Sequence, residues 1–523
     1  MNRHVEVASL FVTGTLAFSS AQAQAFNPGN LIVSRTVYAG DASTVRVGQA
    51  LPGGGNAIAD GSFPNVFKNE SVDPSFGVSS LIFLDQLTLS GTVVSRTAID
   101  PGLITSSFAS KSELALNIST DGAAVTFMGY AAPKNALDVS NSNTAAVVDL
   151  TNPVPSTYAR AIGDVNLSNG TVSVTSVNAY SGNNGRAAVL ANGMYYMVGN
   201  AGNGSGDGTT LSKLSDNTGV QAIARGTSGT TSAIGVAQGT FGSSTGYQRG
   251  FSLSQLPDPA NPGHNYAADK TGKDDNFRGM TVFNNTLFVS KGSGSNGVDT
   301  VYQVGATGAL ANGGSIGSNA AITILPGFNA LSEKVAESTA HPVATPHPFG
   351  MWFGDTSTLF VADEGDGVRL GVAGKVTTFA GLQEWKLSNG TWSLAQTFQS
   401  GLIGQTSNPL GLGWQVEEDG LRNLTGMRNA DGSFTLYATT STVSDELTHD
   451  LGADPNEIVS ITIGANSTSA NTAFDVVETA AVGERFGGVA IAPVPEPETY
   501  ALLAAGMGLL GLMKRRKSNR TEG

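Results

Sequence analysis

Apolar and polar positions alternate in short runs along most of the chain, and the runs come in pairs. "RAAVLANGMYYMVGNAG" begins at Arg186, "FRGMTVFNNTLFVSKGSG" at Phe277, "PFGMWFGDTSTLFVADEGDG" at Pro348 and "NLTGMRNADGSFTLYATTST" at Asn423. "SELALNISTDGAAVTFMGYAAP", from Ser112, has the same shape. Each is an apolar strand, a turn rich in Asn, Asp or Gly, and a strand of β-branched and aromatic residues, which together predict a hairpin. Further strands follow. "LQEWKLSNGTWSLAQTF" comes after Asp363, "DTVYQVG" and "AITILPGF" after Ser290, and "EIVSITIG" and "AFDVVETA" after Ala438.

Four strands over about 50 to 70 residues form the pattern of a propeller blade with insertions. One four-stranded sheet cannot cover both of its apolar faces; stacking blades in a ring covers both and leaves few exposed edges. Across residues 30–490 the period gives roughly six to eight units, and seven is the expected number. The expected fold is therefore all-β: a single β-propeller of about seven four-stranded blades over 26–490, with a helix at each terminus outside it. The early stretch "NLIVSRTVYAG" would supply a strand to complete the last blade. The same strands could build a β-sandwich or two β-domains. The absence of a long charged or proline-rich linker favours one domain.

Composition agrees with many strands and turns. Gly accounts for 67 of 523 residues and charged residues for 13%. The chain has no cysteine, which excludes disulfides, thiolate metal sites and cysteine nucleophiles. Net charge is −13; the last ten residues carry +4 and the first 25 none, leaving −17 on residues 26–513. So acidic a body repels phosphate backbones, and nucleic acid is not an expected partner.

Both ends read as addresses. At the N-terminus Arg3 precedes an apolar run from Val7 to Phe18, and Ala23 and Ala25 close a small-x-small cleavage pattern. Residues 1–25 are expected to be a signal peptide, cut after Ala25. At the C-terminus an uncharged run from Tyr500 to Met513 spans about 21 Å as a helix, short of the roughly 30 Å hydrocarbon core. It stops at Lys514, Arg515, Arg516 and Lys517, a cytoplasmic stop under the positive-inside rule. Pro495, Glu496 and Pro497 stand before it and keep the segment extended.

This order of parts over 494–517 resembles the PEP-CTERM sorting signal: Pro495-Glu496-Pro497, a short transmembrane helix, then the basic cluster. The resemblance implies recognition by the membrane protease-transpeptidase exosortase and transient inner-membrane anchoring. It implies a Gram-negative, exopolysaccharide-producing host and a destination at the cell surface, outer membrane or extracellular matrix. The body resembles β-propellers of no particular subfamily. The expected role is binding or structural, toward exopolysaccharide or matrix proteins; the alternative is a secreted propeller hydrolase or lyase acting on polysaccharide or ester substrates.

No catalytic constellation emerges. Gly292 to Gly297 fits a dinucleotide glycine pattern, but a strand follows where a helix would be needed. His341 and His347 flank a proline loop at no recognised ligand spacing. Two acidic loops are calcium candidates: Asp363, Glu364 and Asp366 just after a strand, and Asp269, Asp274 and Asp275 just before one. Each could equally be a turn in which Asp caps its own backbone. No other cofactor is expected. Arg186, Arg278 and Arg422 precede comparable strands; they would either line the central channel toward an anionic ligand or pair with carboxylates between blades. Trp352, Trp385, Trp392 and Trp414 are candidates for core packing or for stacking on sugar rings.

Overall fold

The computed structural model describes most of residues 24–494, apart from much of 41–76, the segments 203–212, 337–343, 371–377, 409–414 and 444–453, and a few single positions. Ala23, His341, Trp414 and the whole sorting segment from Pro495 through Lys517 lie outside the described residues. Among the described residues no helix is long and apolar enough to cross a membrane.

The strands form a propeller of six antiparallel blades. Blade 2 begins with Asn117–Ile118 and continues with Ala124–Tyr130, Arg160–Asn166 and Val172–Val177. Blade 3 begins with Gly185–Ala191, blade 4 with Met280–Phe283, blade 5 with Pro348–Asp355 and blade 6 with Val416–Arg428. Each runs outward through three more strands. Three of the hairpins turn on two residues with positive φ: Asn192-Gly193, Asn284-Asn285 and Asn389-Gly390. That pair of φ values is what a two-residue turn matched to strand twist requires, and Asn and Gly adopt it at least cost.

Blade 1 is assembled from both ends of the chain. Its inner strand is Glu484–Ile491. Leu31–Val37 pairs with that strand on one side and with Ser79–Leu87 on the other, and Val93–Ala98 completes the blade. The early strand thus closes the ring as expected.

The count is six rather than seven. Insertions between strands take up the length that a seventh unit would need. A second hairpin, Ala57–Ala59 with Phe67–Asn69, lies between the first two outer strands of blade 1, and another, Ala237–Gln238 with Gln248–Arg249, between blades 3 and 4.

Six main apolar clusters hold the ring, one at each junction. Leu116, Phe127 and Val165 of blade 2 meet Ile32, Ile82 and Ala490 of blade 1. Phe353, Trp385 and Trp392 of blade 5 meet Phe288 and Val301 of blade 4. Leu31, Val33 and Val489 of blade 1 meet Tyr437 and Ile458 of blade 6. Inner strands are covered on both faces, and Gly185–Ala191 buries every residue. Outermost strands keep an edge in solvent, and Asp475–Thr479 is largely exposed.

Candidate functional site: the central channel and its arginine layer

The six inner strands run in the same direction around the axis, so their starts form one mouth and their ends the other. They approach closely. A Cβ at Gly279 would lie 1.9 Å from the Phe349 carbonyl oxygen, and one at Gly350 would lie 2.5 Å from that of Arg422. Small residues at these positions let neighbouring backbones touch. Between the strands remains a cavity of about 350 Å³. All six blades line it, among them Ala115, Val189, Met280, Trp352, Asn423 and Ile491, and Pro493 borders it at the end mouth. None of its lining side chains titrates; Asn117, Asn423, Thr281 and Thr425 are its polar ones.

At the other mouth stands a layer of charge: Arg186, Arg278 and Arg422 each come one residue before the cavity lining, and Arg485 lies near the start of the blade 1 inner strand. Arg186, Arg422 and Arg485 are 3–4% exposed, and Arg278 is half-buried. Arg422 Nε bonds Glu364 Oε2 at 3.1 Å, a carboxylate from the neighbouring blade. Arg485 donates to the Ser110 carbonyl. Arg186 and Arg278 differ, because every bond they make is to a neutral group. Arg186 donates through Nη1 alone, to Asn276 Oδ1 and to the Phe277 carbonyl at 2.7 Å. Its Nε is buried with no partner. Arg278 donates to Ser293 Oγ from Nε at 2.8 Å and reaches blade 2 to donate to Ser112 Oγ.

Among the described residues neither arginine has a carboxylate within ion-pair distance. Burial pushes both guanidinium pKa values down. The Arg278 charge lowers that of Arg186 further, while Glu364, two blades from Arg186, acts in the opposite sense on both. Glu113, four residues before the blade 2 inner strand, is pushed up to about 6 by burial, although the Tyr130 hydroxyl and the Ser107 amide donate to it.

The calcium candidates are spread among separate hydrogen-bond networks. Asp363 is fully buried and accepts from the His347 amide at 2.6 Å, Gln383 Nε2 at 2.9 Å and the Gly365 amide at 3.1 Å. Glu364 holds Arg422, and Asp366 caps its own turn through the Val368 amide. Asp269 accepts from the Gly297 amide and pairs with Lys334. Asp274 accepts from the Leu253 amide and Asp275 from the Phe251 amide. Among the described residues no three His, Asp or Glu side chains are grouped so as to hold a metal ion.

Of the tryptophans, Trp385 and Trp392 are core residues, and Trp352 lines the channel while packing on Phe360 and Phe434. Sequence reading passed over a buried ion pair between Lys291 and Asp299, with His347 Nδ1 3.7 Å from the second Asp299 oxygen. The one available sign was a lysine ending an apolar strand eight residues before an aspartate.

Residues 493–517 match the family model of the PEP-CTERM protein-sorting motif. No curated protein matches the chain. Solved structures similar to it include the soluble aldose sugar dehydrogenase of Escherichia coli, at 12% identity over 71% of this chain and 93% of that one, with a TM-score of 0.33. The lignostilbene dioxygenase of Pseudomonas brassicacearum aligns at 7% identity over 91% and 96%, with a TM-score of 0.34. The phage phi92 endosialidase aligns at 9% identity over 87% and 60%, with a TM-score of 0.26. The motif implies export through the membrane to the cell envelope and processing by exosortase. The chain is thus a six-bladed β-propeller that ends in a PEP-CTERM sorting motif.

Proposed function

We propose that this protein is an exported binding propeller of the cell surface or exopolysaccharide matrix of a Gram-negative bacterium, and that its channel mouth takes a carboxylate-bearing glycan. One observation carries the reading: Arg186 and Arg278 sit together at the start of the inner strands with no carboxylate partner, in a body of charge −17 over residues 26–513. A buried guanidinium with no carboxylate in direct contact is costly, and an incoming oxyanion offsets that cost through charge-assisted bonds. The fork of Arg186 Nε and Nη2, unused in the protein, matches a carboxylate bidentately. A channel without titratable lining favours binding over the hydrolase or lyase alternative, which needs convergent acids or bases there.

Leader removal after Ala25 fits the same reading. Among the described residues Phe26 is the first that is buried, and its amide donates to the Leu167 carbonyl at 2.8 Å. The test is a glycan array on residues 26–494, with uronate-bearing and neutral glycans and with and without Ca²⁺. Binding restricted to the acidic glycans is expected. Binding to neutral glycans alone, or to none, would remove the proposal.

A further inference from the structure

The two chain ends leave the ring side by side. Gly29 donates its amide to the Ala492 carbonyl, and the Ala492 amide donates to that of Asn30. Pro493 borders the channel, and Val494 is exposed next to Gly29. The inner strand of blade 1 places Arg485 at its start and Ile491 at its end, so the sorting segment departs from the mouth opposite the arginine layer. Six chain steps separate Val494 from Tyr500, where the apolar run begins, and they span at most about 21 Å when fully extended. To turn the arginine mouth toward a membrane, the tail would have to pass outward beneath four strands and then up the height of a blade. At about 4.8 Å between strands and 3.3 Å per residue, that path is roughly 35–40 Å. The tail is too short.

We infer that, while the sorting segment holds the chain to the membrane, the propeller stands on its outlet face and presents the arginine layer to the side away from the lipid. The face turned to the lipid, and to the processing enzyme, is built from the Asn27 to Asn30 turn, the Asp121-Gly122 turn and Pro493. The orientation follows from the exit point and tether length, and holds whatever ligand the arginines take. It rests on insertion of the Tyr500 to Met513 run.

The absence of native cysteine permits a direct test on the full, unprocessed chain. Ser168→Cys marks the outlet side, in the turn after the blade 2 strand that ends at Asn166; Lys134→Cys marks the arginine side, beyond Tyr130. Both positions are exposed. Each variant is labelled with a donor dye and inserted into phosphatidylethanolamine–phosphatidylglycerol vesicles carrying an acceptor on the lipid headgroup. Higher energy transfer from position 168 than from 134 is expected. Equal or reversed transfer overturns the orientation. No transfer from either position overturns it through its premise, by showing that the tail does not insert.

Discussion

Arg186 and Gly279 lie at the same mouth of the channel under opposite demands. Arg186 is a charge kept without a counterion, so Arg186→Gln should leave the thermal midpoint unchanged or raise it, while acidic-glycan affinity falls by roughly 10–100-fold, the worth of a hydrogen bond to a charged group. A merely structural arginine would show the reverse, with stability lost and binding kept. Gly279 is held by space. A methyl there meets the Phe349 carbonyl, and Gly279→Ala should cost about 1–3 kcal/mol in urea unfolding. The recurrence of Arg186, Arg278 and Arg422 before comparable strands was legible in the sequence, because the repeats align. Arg485 and Glu113 escaped notice. The inner strand bearing Arg485 has no hairpin partner beside it in sequence, and Glu113 stands two residues before the cavity lining, one step earlier than Arg186, Arg278 and Arg422. That Arg422 finds a carboxylate while Arg186 and Arg278 do not was invisible, since Glu364 comes from another blade.

At the scale of elements, the five hairpins visible as paired apolar runs are the first two strands of blades 2 to 6. Inner strands read as continuous apolar runs because a blade covers each face. Outer strands such as Thr391–Phe398 alternate because one side meets water. Blade 1 was half legible: its early strand was recognisable, but its inner strand lies more than 440 residues away, and no local pattern announces such a pairing. Ring closure depends on that strand. Ile32 is fully buried against blade 2, and Ile32→Ala should lower unfolding free energy by about 2–5 kcal/mol, read as a shift in the urea midpoint.

Across the whole molecule, burial of carboxylates sets the response to pH. Burial pushes Glu113, Asp274 and Asp363 up to about 6, and Glu333 and Asp419 to about 8. Unfolded carboxylates titrate near 4, so between those values the folded state binds more protons than the unfolded state, and stability falls as pH rises. His347 adds to the fall above its unfolded value near 6.5. Burial opposes its charge, but Asp299 and Asp363 hold it up to about 10. Lys273, lowered to about 7 by burial, works in the opposite direction from there upward. The window from about pH 4.5 to 6.5 is thus governed by the carboxylates. The melting temperature should drop across it; a rise would show that other, paired carboxylates dominate.

The sequence by itself determined the all-β class, the repeating hairpin unit, the acidity of the body and the sorting motif. These are properties of periodicity, turn chemistry and local order, which need no knowledge of distant residues. The tertiary structure alone decided the number of blades, because insertions and true blades have the same strand-and-turn texture until pairing separates them. It also decided that the arginines share one mouth, that most carboxylates of the acidic loops accept from backbone amides of other segments, and that the tail leaves from the opposite face. Each of these depends on which strands lie side by side, and in a closed ring that is fixed by blade-to-blade burial.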